Sequence, residues 1–418
     1  MNEILEYQSY YIFLNAFTLV YFLFRKSEIR LYSVFVLSFF LYHSPFLFGE
    51  SIWKVSGISY EISFSEASYL ILCFNSTFLL LMLLLSDLYY KSERSVSYSY
   101  DLSKANVQFF WIMLFFTLML ILTYYISSDF EALKVSTKVV PKSHAFKLAV
   151  PALIMATIMS FWYRNKLYIF LLLLCHFSIF IVGNRLPIVI SIIAISYLYL
   201  SGTRVRFISK WKFLLVSLFF LMVIIHFKIL YHAFVHQKYD MLIAVLNGEF
   251  LMYSIQNAEP THVSAVYNEV VTNEFKISIG YLFQLIFVLI PFIPSLFGFK
   301  PTSFASLYKG YLFGNEGDSF ASNFWAVGYS LFEVYGIFIS LFMVVALVLY
   351  IDMLQKRFIS TSSLKKLTLV LSFSCTLVFY IHRNDYTFII SLLRSFFIVW
   401  FMAYLVHYIV LKLGSKTN

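Results

Sequence analysis

The sequence predicts an all-α polytopic membrane protein with about eleven transmembrane helices, and three observations carry that expectation. Hydrophobic residues fill 61% of the 418 positions and charged ones only 12%, with a mean hydropathy of +0.81, a composition outside the soluble range. The apolar residues fall into long runs, and a bilayer core about 30 Å thick needs roughly 20 of them in a helix. The basic residues sit in short clusters between runs, as connections on the inner side of a membrane do. A formal charge of +10 distributed in this way orients the chain; it does not build the single basic face that nucleic acid requires.

In order, the runs cover residues 9–24, 31–48, 67–89, 107–126, 145–163, 167–182, 186–200, 213–231, 324–351, 367–381 and 386–411. If the clusters at 25–30, 91–104, 164–166, 204–212, 356–366 and the C-terminus face inward, they hold 18 of the 31 basic residues. Five acids then share that side, giving a net +13 inside against −3 outside. This places the N-terminus outside and the C-terminus inside. The chain reads as a single transmembrane domain, residues 1–418, with one large outer loop at 233–323. No basic n-region precedes the first run (MNEILEYQ), so no cleavable signal is expected.

Inside the loop lies an apolar island, residues 281–299, interrupted by Pro291 and Pro294. If it crossed, the later connections would change sides and leave 16 basic residues inside and 15 outside. The bias would vanish. Each proline also removes a backbone donor and disfavours helix before it. The island is therefore expected to be a re-entrant or interfacial helical segment; a twelfth span is the alternative.

Cations near membrane depth are costly and point to function. Arg185 lies in the turn Gly183-Asn184-Arg185-Leu186-Pro187, where a helix start, its dipole and a guanidinium all favour an anion. The turn His382-Arg383-Asn384-Asp385 repeats that arrangement before the last run. Eleven residues separate Arg383 from Arg394, so on one continuous helix they point within about 20° of each other. Arg185, Arg383 and Arg394 are thus expected to form a cationic cleft for a diphosphate. An Arg394 that pairs with Asp385 or Glu333 purely for packing is the structural alternative.

The loop acids and His262 supply bases for a sugar hydroxyl. Spacing alone singles out none of Glu249, Glu259, Glu269, Glu274, Glu316 and Asp318. Glu333, at the outer end of its run, is placed for a polar contact in a cavity. His232 and His236 stand one helical turn apart, but without a third ligand they do not make a metal site. Cys73, Cys175 and Cys375 lie in apolar runs, so neither a disulfide framework nor a cysteine metal site is expected. The sequence calls for no cofactor.

At these residues the chain resembles the O-antigen polymerases, the Wzy-type oligosaccharide repeat-unit polymerases. Gly183-Asn184-Arg185 is similar to their Gly-x-Arg turn, and Ile290-Pro291 through Lys300-Pro301 to their "IP…KP" stretch. Leu331-Phe332-Glu333-Val334-Tyr335-Gly336 resembles their "EAY…G" start of a span, and Ile381-His382-Arg383 their "IR" before the final one. Phe292 stands where many members carry Arg. The resemblance implies a membrane-embedded, metal-independent glycosyltransferase of the bacterial inner membrane with its active site facing the periplasm. It would move a glycan from undecaprenyl pyrophosphate onto another lipid-linked repeat unit. Arg185, Arg383, Arg394 and Lys300 would hold the diphosphate, and Glu259, His262 or Glu333 would act as base or polar contact. Implied partners are the undecaprenyl-pyrophosphate-linked oligosaccharide, the lipid bilayer, a chain-length regulator and a flippase. A ligase using the same donors and a lipid-linked oligosaccharide flippase are the competing classes.

Overall fold

The computed structural model describes residues 2–25, 29–55, 58–89, 104–127, 144–181, 184–201, 243, 259–290, 298, 301–313, 322–360 and 363–414. The run at 213–231, His232, His236, Glu249, Pro291, Phe292, Pro294, Lys300, Glu316 and Asp318 lie outside them. The described chain is predominantly helical. Its helices are α1 (Asn2–Phe24), α2 (Leu31–Tyr42), α3 (Glu66–Tyr89), α4 (Lys104–Ser127), α5 (His144–Ser160), α6 (Lys166–Ile181) and α7 (Leu186–Ser201). There follow α8 (Glu259–Thr272), α9 (Gly280–Leu289), α10 (Phe304–Phe313), α11 (Phe324–Ser360), α12 (Leu364–Tyr380) and α13 (Tyr386–Gly414).

Among the described residues, five stretches are long and apolar enough to cross a membrane: Glu66–Tyr89, Asn106–Ile126, Phe324–Ile359, Leu364–Arg383 and Tyr386–Leu413. Helix α1, though 23 residues long, is not among the five, and the helices at Leu31–Tyr42, Lys147–Ser160, Lys166–Phe180, Leu186–Leu200 and Gly280–Leu289 are apolar but shorter. The expected span at 31–48 is one of these, because α2 stops at Tyr42 and a 3-10 turn, Ser44–Leu47, follows with Pro45 near its start. Proline has no N–H to continue the helix. Beyond it comes an element that the all-α expectation missed, an antiparallel hairpin of β1 (Glu50–Val55) and β2 (Ile58–Ser63). Its signal is a β-rich stretch split by the pair Ser56-Gly57.

The chain divides into two compact units. The first comprises Met1–Ser95, Arg204–Tyr350 and Leu377–Ile390; the second comprises Val96–Thr203, Ile351–Thr376 and Ser391–Asn418.

In the first unit, α8 is a core helix although it comes from the expected loop. Val263, Val266, Val270 and Val271 are buried, and so are the small or polar Thr261, Ser264, Ala265 and Asn268. The polar ones satisfy backbone that other elements leave open. The end of α2 exposes orphan carbonyls; Ser264 Oγ donates to that of Tyr42 at 3.1 Å, and Tyr11 Oη to that of His43 at 3.2 Å. Asn268 accepts from the Ser65 N–H at 2.8 Å and donates to the Ser63 carbonyl at 3.3 Å. A buried ion pair, Arg25 to Asp87 at 2.9 Å, ties α1 to α3, with Tyr21 and Ser33 completing its hydrogen bonds.

The island's first part is α9, only ten residues long. Gln284 bonds both sides of one peptide further along the chain: Oε1 accepts the Thr302 N–H at 2.9 Å and Nε2 donates to the Thr302 carbonyl at 3.1 Å. Ten helical residues rise only about 15 Å, so α9 by itself does not span a bilayer core.

Nor is α11 one straight span. Phe332 (φ −143°, ψ 22°) and Glu333 (φ +56°, ψ −141°) leave the helical region. On a straight helix Gly328 and Gly336 would stand about 12 Å apart. Here a Cβ on Gly336 would collide with the Gly328 carbonyl oxygen, and one on Gly328 would meet the Gly336 oxygen at 2.9 Å. The short arm, residues 324–331, therefore folds against the long one through two glycine backbones.

In the second unit, α4 to α7 pack on one another, and Phe109 of α4 meets His407 of α13 edge-on at 5.5 Å. Aromatic tips find the few polar partners there: Tyr125 Oη donates to the Ser178 carbonyl at 2.6 Å, and Tyr197 Oη to Gln355 at 2.9 Å. Gln355 in turn donates to Ser374 at 3.0 Å.

Candidate functional site

The best-defined polar centre of the first unit is the turn between α12 and α13. After Tyr380 the chain makes one 3-10 turn, Ile381–Arg383, and Asn384 is extended (φ −118°, ψ 160°). Arg383 and Arg394 therefore do not share a continuous helix, and the 20° alignment expected from their spacing does not hold. The interruption is built in. Asn384 Nδ2 donates to the Tyr380 carbonyl at 2.8 Å. Asp385 caps two helices at once, with Oδ1 accepting the Phe388 N–H at 2.8 Å and Oδ2 the Phe304 N–H at 2.9 Å. A carboxylate is well suited to a helix start, where N–H groups lack partners and the dipole is positive.

Consecutive side chains of the turn face opposite ways. His382 is fully buried and sandwiched between Phe35 (5.0 Å between centroids) and Trp325 (5.9 Å). Trp325 Nε1 donates to its Nδ1 at 3.2 Å, so the proton of the neutral ring sits on Nε2, 3.0 Å from Ser38 Oγ. Ser38 passes its own proton to the Val378 carbonyl at 2.5 Å. With His382 fixed on both edges, Arg383 is aimed outward.

Arg383 Nη1 meets Glu259 Oε1 at 2.8 Å and the Tyr380 hydroxyl at 3.1 Å, while its guanidinium lies 5.4 Å over the Tyr380 ring. Glu259 is the first residue of α8, where a negative charge is favoured. The pair remains partly open to water, with side chains 30% and 44% exposed, so it contributes about 1 kcal/mol or less to stability. Such a pair can be exchanged for another. His262 follows Glu259 by three residues on α8, hence on the same face.

Glu333 lies at the break in α11 and faces Lys276 at 2.5 Å. The carboxylate raises the Lys276 ammonium above its ordinary pKa, first through the hydrogen bond and then through its charge. Around them opens a hollow of about 380 Å³ whose lining includes Ser330, Phe332, Tyr335 and Ile339.

Of the other predicted residues, Glu269 and Glu274 lie in the first unit, Arg185 and Arg394 in the second, and the rest outside the described chain. Arg185 starts α7: its carbonyl accepts the Val189 N–H at 3.1 Å, and Asn184 Oδ1 caps the Leu186 N–H at 3.0 Å. That is the local geometry the Asn-Arg-Leu-Pro sequence predicts. Arg394 is half-buried on α13. Lys300 lies outside the described residues. Among those residues no group of three His, Cys, Asp or Glu could hold a metal.

Sequence reasoning named Glu259 and Arg383 separately; their contact spans 124 positions and leaves no local signal. It overlooked Lys276 and the anchor of Trp325 and Ser38. The Asp385 cap was legible, being an acid directly before a helix. Compared with family models, with curated proteins and with solved structures, the chain matches nothing in any of the three.

Proposed function

We propose that this protein polymerises lipid-linked oligosaccharide repeat units at the periplasmic face of a bacterial inner membrane, as O-antigen polymerases do. The observation that carries the reading is the partly open Arg383 to Glu259 pair, set between the start of α8 and the turn before α13 and braced by Tyr380. The skew of basic residues supports the orientation, because it leaves the turn and α8 on the outer side.

In the resting centre Glu259 occupies the guanidinium. An incoming diphosphate, with more charge and fork-matched oxygens, displaces it. Glu259 then takes the proton from the acceptor sugar hydroxyl as that oxygen attacks the donor's anomeric carbon. The bond from this carbon to the diphosphate oxygen breaks, and undecaprenyl pyrophosphate leaves with the electron pair, its charge stabilised by Arg383. His262, one turn along α8, is the second candidate for the proton. Arg185 and Arg394 belong to the second unit and Lys300 lies outside the described residues, so the step rests on Arg383. Glu333 takes no part in the proton transfer.

The test is a host whose surface glycan depends on this chain. Arg383→Ala leaves single repeats on a gel, and Arg383→Lys restores short ladders because an ammonium lacks the fork. Normal ladders in Arg383→Ala refute the reading.

A further inference from the structure

The hollow at the break in α11 is built differently from the Arg383 centre, and its use does not depend on the glycosyltransferase reading. Glu333 adopts a φ of +56° that L-residues rarely take. Two ties hold it there: the ion pair to Lys276, and the Ile277 N–H donating to the Ser330 carbonyl at 2.9 Å. The charged tips are open, 60% exposed for Lys276 and 56% for Glu333. Beside them Phe332, Tyr335 and Ile339 are 40%, 74% and 51% exposed. Ser330 also lines the hollow, 1% exposed, its hydroxyl without a hydrogen-bond partner among the described residues.

Apolar side chains this exposed at one end of an apolar helix suit hydrocarbon, and the adjoining charges suit a headgroup. The two charges cancel, so an anionic headgroup meets a carboxylate as readily as an ammonium. A zwitterion meets both favourably. We propose that this hollow is a binding site for phosphatidylethanolamine, with the phosphate on Lys276, the ammonium on Glu333, and an acyl chain along Phe332, Tyr335 and Ile339. The carboxylate selects against polyprenyl diphosphates and phosphatidylglycerol; phosphatidylcholine lacks the N–H donors that Glu333 accepts.

The full chain, delipidated and returned to equimolar phosphatidylethanolamine, phosphatidylglycerol and phosphatidylcholine with matched acyl chains, tests this by native mass spectrometry. The wild type is expected to retain phosphatidylethanolamine over each of the others by about fivefold, the scale of an exposed charge contact. Glu333→Gly keeps the backbone, since glycine adopts positive φ freely, and removes the carboxylate. In it, and in Lys276→Ala, the preference falls to near unity. Equal retention by the wild type, a preference for phosphatidylglycerol, or a preference that survives in folded Glu333→Gly overturns the proposal.

Discussion

Glu259 and Glu333 each face a basic side chain within one unit, but on opposite terms. Glu259 opens a regular helix, where the dipole favours its charge, and its partner Arg383 is braced by Tyr380 and backed by buried His382. Glu333 sits where the backbone itself costs about 1–3 kcal/mol, and its partner Lys276 lies on an open link between α8 and α9. The first carboxylate rests on relaxed backbone and can give up its partner without local rearrangement, as a base that must change partners requires. The second is part of a bend, and moving it moves the bend.

The sharpest way to break this contrast is to remove Arg383. Arg383→Ala should lower polymer formation about 10²–10³-fold, the scale of a lost transition-state charge contact, with little change in melting temperature. A large stability loss instead would make the pair structural. Next comes the bend: Gly336→Ala has no room against the Gly328 carbonyl and should cost about 3 kcal/mol by denaturant unfolding. A neutral result would mean that the two arms do not touch. Asp385→Ala removes one acceptor from two helix starts and should cost about 2 kcal/mol, roughly one for each cap. The smallest effect is the most specific: Glu333→Gly should be about 1 kcal/mol more stable than Glu333→Ala, the reverse of the order inside a regular helix.

How far the sequence could see follows the same division. Runs of one composition were legible, so the expected run at 67–89 falls on α3, and the Asn184 to Pro187 turn caps α7 as its residues demand. Glu259-Pro-Thr-His reads as loop because its polarity is local, whereas the burial of the helix it opens depends on α2, β1 and α3 arriving from elsewhere in the chain. The break at Phe332 and Glu333 carries neither glycine nor proline at the bend. Its cause lies four residues before and three after, in Gly328 and Gly336, whose spacing looks ordinary until the arms fold together. The Arg383 to Arg394 alignment failed for a legible reason, since Asn384-Asp385 is a cap sequence that stops one helix and starts another.

In the proposed reaction Arg383, released by Glu259, holds a lipid diphosphate during glycan transfer. Its most direct measurement is product length from purified full chain in nanodiscs supplied with lipid-linked repeat units. The wild type should yield a ladder, while Arg383→Ala and Glu259→Gln, with wild-type melting temperatures, should leave single repeats. Ladders of equal length from all three proteins would contradict it.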